Sequence, residues 1–224
     1  MSKRDYQNDF PSVTQVLGVL RKIGLENWFK YNTAQFCDEK SRRGKEVGTQ
    51  THEVIENYIL GKPTDIVTEY GDEVVNALHS FMLFRKENPE MVFQFTEILL
   101  TSIEYQFNGT IDVDMKRGDT PLIGDWKTGE CKKKDKPVIY DEMRYQVSAY
   151  WKLYNEIKRI SAGMYPIERA VIVCFAKDKV AYNLYEMGKE ELNDCFYRAF
   201  VPALSIYNLQ KEKKDYGKIA YSAG

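Results

Sequence analysis

Residues 108–150 read NGTIDVDMKRGDTPLIGDWKTGECKKKDKPVIYDEMRYQVSAY, and the fold turns on how this stretch pairs with itself. Apolar and polar residues alternate on both sides of Gly118-Asp119, a pair suited to a hairpin loop. Centring the turn there sets Asp112 directly opposite Asp125, because each is the same number of residues from the loop. Side chains alternate along a strand, so Asp125 and Lys127 share one face and Trp126 takes the other. Two carboxylates and an ammonium then converge on one patch of sheet. Like charges held that close repel, so the arrangement makes sense chiefly with a divalent cation between them. Asp114 lies on the face of Asp112 in a regular strand and is the fallback oxygen donor should the register differ. A helix is expected over 140–159, where Gln146 and Tyr150 lie one turn apart and point to one place. Simple packing of Tyr150 with Val147 and Trp151 would satisfy the same pattern.

Working back from this stretch, strands are expected over 92–100 and 103–107, the second turning at Asn108-Gly109, a strong hairpin signal. A helix is expected over 72–86, stopped by Asn88-Pro89; no motif surrounds its His79. Another is expected over 45–60, with Val47, Val54, Ile55, Tyr58 and Ile59 as its apolar set and Gly61 as its stop. His52 and Glu56 share a side of it, and Gly48 would permit close packing on a sheet or a substrate backbone. Before it, the polar run 38–44 predicts a break after a helical stretch holding Leu25, Trp28, Phe29 and Tyr31. Pro11-Ser12 with Gln15 forms a capping-box start for a helix to about residue 20. Downstream, 169–176 and 180–187 form a hairpin around Lys177-Asp178. A closing helix over 189–211, bent at Pro202, leads into a polar, loosely held tail.

Five motifs in this order resemble the PD-(D/E)XK nucleases of the RecB and lambda-exonuclease type: PSVTQVLG, GTQTHEVIENYI, GTIDVD, GDWKTG and QVSAY. They are most similar to the branch that holds mitochondrial genome maintenance exonuclease and its phage and bacterial relatives. The resemblance implies an α/β fold with a restriction-endonuclease-like core: a mixed central sheet flanked by helices, with an N-terminal helical part. It implies one nuclease domain over 1–224, mainly helical to residue 90, with the catalytic sheet and helix over 91–187 and a helical C-terminal part. It implies metal contacts from His52, Asp112, Asp125 and the Trp126 carbonyl. Lys127 would act on the water or the growing charge, and Gln146 and Tyr150 would position the phosphate or the lysine. An isolated helical histidine is more often structural, but GTQTH matches the family's Gly-Thr-x-x-His and reverses that preference. The family often carries a glutamate before the Gly-x-x-Asp strand, which makes Glu97 a second candidate beside its reading as an ordinary edge carboxylate.

Hard carboxylate oxygens suit Mg2+ or Mn2+, and a histidine nitrogen tilts the preference toward Mn2+. A zincin would need histidine where Glu56 stands, and the four cysteines, Cys37, Cys131, Cys174 and Cys195, are scattered. Neither a zinc site nor an iron–sulfur cluster is therefore expected. Net charge is −1, so the chain is no general nucleic-acid coat. Two local basic clusters, Arg42, Arg43 and Lys45, and Lys132, Lys133, Lys134 and Lys136, sit beside the motifs. They are read as DNA phosphate contacts or as solvated loops. No signal peptide or membrane-spanning run is found, which points to the cytoplasm of a bacterium or of a phage-infected host. The expected activity is a Mg2+- or Mn2+-dependent DNA exonuclease on single strands or free ends. A structure-selective endonuclease and a non-cutting DNA- or protein-binding module are the alternatives.

Overall fold

The structure is a computed structural model that describes residues 8–20, 23–62, 70–131, 134–160 and 163–221. Its centre is a mixed five-stranded sheet in sequential order: β1 (Met91–Ser102), β2 (Phe107–Arg117), β3 (Thr120–Gly129), β4 (Arg169–Ala176) and β5 (Tyr182–Gly188). β1, β2 and β3 form an antiparallel meander, β4 lies parallel to β3, and β5 returns antiparallel. Parallel neighbours need a long crossover. Here it carries helix α5 (Asp141–Tyr154), which runs on into a π-helical segment, Asn155–Ile160.

Each face of the sheet is covered. Helices α3 (Ala34–Ile59) and α4 (Asp72–Glu87) bury Val47, Val54, Ile55, Leu78, Phe81 and Phe84 against Val113, Met115, Trp126, Val171, Val173 and Phe175. On the other face, α1 (Val13–Leu17), α5, α6 (Lys189–Cys195) and α7 (Val201–Tyr221) cover Phe107, Ile111, Ile123 and Ile172. A short helix α2 (Ile23–Tyr31) precedes α3. This is the expected α/β architecture, consistent with a restriction-endonuclease-like core. No helix among the described residues is long and apolar enough to cross a membrane.

The local signals explain much of this. Ser12 and Gln15 close the capping box on α1, with the Ser12 N–H donating to Gln15 Oε1 at 2.8 Å. Gly118 takes φ +59 at the β2–β3 turn, and Arg117 pairs with Thr120, as the register centred on Gly118-Asp119 requires.

Three local expectations fail. The Asn-Gly pair is no turn: β1 and β2 are joined by residues 103–106, and Asn108-Gly109 lies inside β2. Asn108 instead pins the N-terminal segment. Its N–H donates to the Pro11 carbonyl at 2.8 Å, and its side chain bonds Asn8, Phe10 and Thr101. Gly109 is needed for close approach, since a Cβ there would sit 2.6 Å from Leu153 Cδ1 of α5. The break at 38–44 is absent because α3 runs from Ala34 straight through it. Its Lys, Arg and Glu residues are good helix formers, and one interior glycine costs only about 1 kcal/mol. Gly48 is not required for close packing, because a Cβ there would meet Thr128 Oγ1 at an ordinary 3.6 Å. In the C-terminal helix a π-helical turn, Phe196–Phe200, precedes Pro202, which has no N–H to give to the preceding turn, and the helix continues to Tyr221.

Candidate functional site

β2 and β3 set the centre of the site. The ladder between them holds to Val113–Gly124, and the next pair outward is Asp112 and Asp125. There the Asp112 carboxylate takes over from the backbone: its Oδ2 accepts from the Trp126 N–H at 2.7 Å. Trp126 faces α3 and α4, boxed by Phe81, Phe84, Phe93 and Phe175 with ring centroids 5.7–6.3 Å away. Asp125 and Lys127, one residue to either side, are thereby directed to the α5 face.

β1 supplies the least regular part. Its register on β2 shifts between Phe93 and Phe95, and Glu97 adopts φ +51. A non-glycine residue in the left-handed region costs on the order of 1 kcal/mol, and such strain collects at functional sites. The Glu97 carboxylate lies beside Asp112 and beside His52 on α3. One ligand atom from each of His52, Glu97 and Asp112 lies within 4.8 Å of the others. His52 Nδ1 stands 3.7 Å from Asp112 Oδ1. A nitrogen with two carboxylate oxygens is a donor set for a divalent cation such as Mg2+ or Mn2+, so the residues fit the expected metal.

Asp125 lies outside this group of three. It is 1% exposed, and neither oxygen accepts a hydrogen bond of ordinary geometry; its compensation is an ion pair with the Lys127 ammonium. Burial pushes its pKa from 3.8 up to about 6, against the pull of Lys127 and with a further push from Asp112. Lys127 also donates to the Trp126 carbonyl, at 3.3 Å. A buried carboxylate so poorly served by donors is a second feature suited to a cation.

The remaining expected residues fall in three places. On α5, Gln146 Nε2 donates to the Tyr150 hydroxyl at 2.8 Å, so the two side chains meet at one point. Asp114 accepts from the Tyr154 hydroxyl at 2.6 Å and is not one of the three grouped ligands. Arg42 is exposed on α3, whereas Arg43 is engaged by Glu73 at 2.8 Å. Lys134 is exposed after β3; Lys132 and Lys133 lie outside the described residues. Sequence reasoning missed the bridge from Arg43 through Glu73 to Lys177, whose ammonium is 2.8 Å from Glu73 and 3.5 Å from Glu130. It ties α3 and α4 to the end of β3. Spacing gave no signal for it, because its members are far apart in the chain.

No family model matches the chain, and no curated protein matches it. Among solved structures it is similar to SSO0001, at 13% identity over 86% of this chain and 78% of that one, with a TM-score of 0.41. It is also similar to LHK-Exo in complex with dAMP, at 13% identity over 96% of this chain and 95% of that one, with a TM-score of 0.36.

Proposed function

We propose that the protein is a metal-dependent nuclease that hydrolyses DNA phosphodiester bonds, acting as an exonuclease on single strands or free ends. The observation that carries this reading is the meeting of His52, Glu97 and Asp112 within 4.8 Å, next to the buried Asp125–Lys127 pair. The exonuclease preference and the choice of DNA rest on the motif resemblance.

A bound divalent cation supplies a water of lowered pKa and neutralises charge on the phosphorus oxygens. His52, Glu97 and Asp112 would hold it, with Asp125 and the Trp126 carbonyl completing the shell once Lys127 turns from them. Asp112 is aimed by its bond from the Trp126 amide, and that amide is fixed by the aromatic box around the indole. Lys127 brings a positive charge to the face where negative charge would grow on the phosphate. Gln146, bonded to Tyr150, presents the rest of its amide toward a strand laid along α5.

The test is cleavage of an end-labelled single strand with Mn2+, with Mg2+ and with EDTA, alongside a covalently closed circular strand. Release of mononucleotides from the linear strand only, abolished by EDTA and by Asp112→Asn, is expected. A cut circle would make the enzyme an endonuclease. No cleavage in either metal, or stoichiometric zinc or iron in the purified protein, would refute the proposal.

A further inference from the structure

β3 leads out of the site through a loop to α5, and where this loop meets the sheet a cleft of about 410 Å³ opens. Its walls include Lys134 and Lys136 from the loop, Asp141 and Arg144 from α5, and Asn183 and Tyr185 from β5. The sheet register relates it to the site. Asp125 pairs with Ile172, which pairs with Tyr185; Lys127 pairs with Cys174, which pairs with Asn183. Residues paired across neighbouring strands project to the same side, so Asn183 and Tyr185 share the face of Asp125 and Lys127. Two strand spacings, about 10 Å, separate them. Gln146 and Tyr150 stand one and two turns along α5 from the cleft.

The lining has a definite chemistry: three cations face one carboxylate. Arg144 is already committed, 2.9 Å from Asp141 and 2.6 Å from Glu191, so its single charge is shared between two acids. Lys134 and Lys136 are exposed, and among the described residues neither forms an ion pair, so their charge is available. Lys179 adds a third ammonium at the rim, donating to the Lys134 carbonyl at 3.1 Å. Asn183, which lines the cleft, gives its amide nitrogen to the Pro137 carbonyl at 3.0 Å, which leaves its Oδ1 as a spare acceptor. The volume falls within the roughly 300–1,000 Å³ of small-molecule sites.

We propose that this cleft is a nucleotide subsite that holds the strand beside the scissile bond, with Lys134 and Lys136 on phosphate oxygens and Asn183 on a base edge. The proposal rests on the nuclease reading and adds which surface the strand follows away from the site. It runs over the N-terminal end of α5 toward β5.

The test is binding of a short fluorescent single-stranded oligodeoxynucleotide, read by anisotropy in EDTA across a salt series. Lys134→Glu with Lys136→Glu should weaken binding about tenfold or more, since both contacts become repulsive. It should flatten the salt dependence by about 0.7 per lost phosphate contact. Asn183→Ala should weaken binding equally at every salt concentration, leaving the slope unchanged. Lys211→Glu on α7, outside the cleft, makes half that change of charge and should leave affinity within about twofold. If the double variant binds like the wild type, or if Lys211→Glu weakens binding as much, the cleft is not a subsite. Mn2+-dependent cleavage by the wild type would then still uphold the nuclease. A wild type that neither binds nor cleaves overturns both.

Discussion

Asp125 should make the metal-free protein lose stability as pH rises, and Asp125→Asn should remove that dependence. Its pKa in the folded protein is about 6 against an ordinary 3.8, chiefly from burial. Between those values the native state holds a proton that the unfolded chain has released, so unfolding becomes easier with increasing pH. At about 1.4 kcal/mol per tenfold change, the ionised carboxylate costs roughly 1.5 kcal/mol at pH 5 and roughly 3 kcal/mol from pH 7 upward. The asparagine variant, neutral throughout, should therefore gain about 1.5 kcal/mol on the wild type between pH 5 and pH 8. Urea denaturation of both proteins at the two pH values, in EDTA, gives this double difference, from which titrating groups not coupled to Asp125 cancel. Saturating Mn2+ at pH 8 should reverse the order, because the cation replaces the missing proton in the wild type only. A double difference near zero would mean that Asp125 titrates like a solvated carboxylate, and the burial argument would be wrong.

Lys127→Ala should cut single-turnover cleavage by about 100- to 1,000-fold while Mn2+ titration still shows binding, the signature of a group that acts on charge rather than on the metal. Glu97→Gly should separate strain from ligation: at φ +51 glycine is relaxed, so the unfolding free energy from urea titration should rise by up to about 1 kcal/mol while Mn2+ no longer stabilises the protein. Glu97→Gln, with strain retained, should lose the Mn2+ response with no gain in stability. Gly109→Ala should destabilise by about 1–3 kcal/mol, since its Cβ would meet Leu153 at 2.6 Å; unchanged thermal unfolding would show that α5 can move away.

What the sequence made legible was whatever its periodicity and loop chemistry control directly. The alternation around Gly118-Asp119 fixes the β2–β3 register, and that register alone sets Asp112 against Asp125. Asn108-Gly109 misled because the same two residue types serve two ends. Asparagine and glycine suit a tight turn, but a buried asparagine can also satisfy a neighbouring segment, and a glycine can admit a helix. Only the packed neighbours, Pro11 and Leu153, tell which. The uninterrupted α3 went unseen because a polar run reads as a loop when its pairing is unknown, and Glu73 and the end of β3 are remote in sequence. Glu97 sits in an ordinary run of strand formers, and nothing local announces its left-handed backbone.

The parallel pairing of β4 with β3 also governs when activity can appear during synthesis. The meander of β1, β2 and β3 is local and can close as soon as Gly129 has left the ribosome. At that stage β3 is an open edge, with Asp125 facing water rather than Ile172 and α5. Its carboxylate then ionises freely, and no dry pocket draws it toward the cation or Lys127. The wall is completed only when Arg169–Ala176 docks, after a crossover whose closure entropy must be met first. A nascent chain thus carries Asp125 for some time on an open strand edge, beside a meander that already holds Glu97 and Asp112 together. The proposed nuclease would on this account stay inert until most of its length is made.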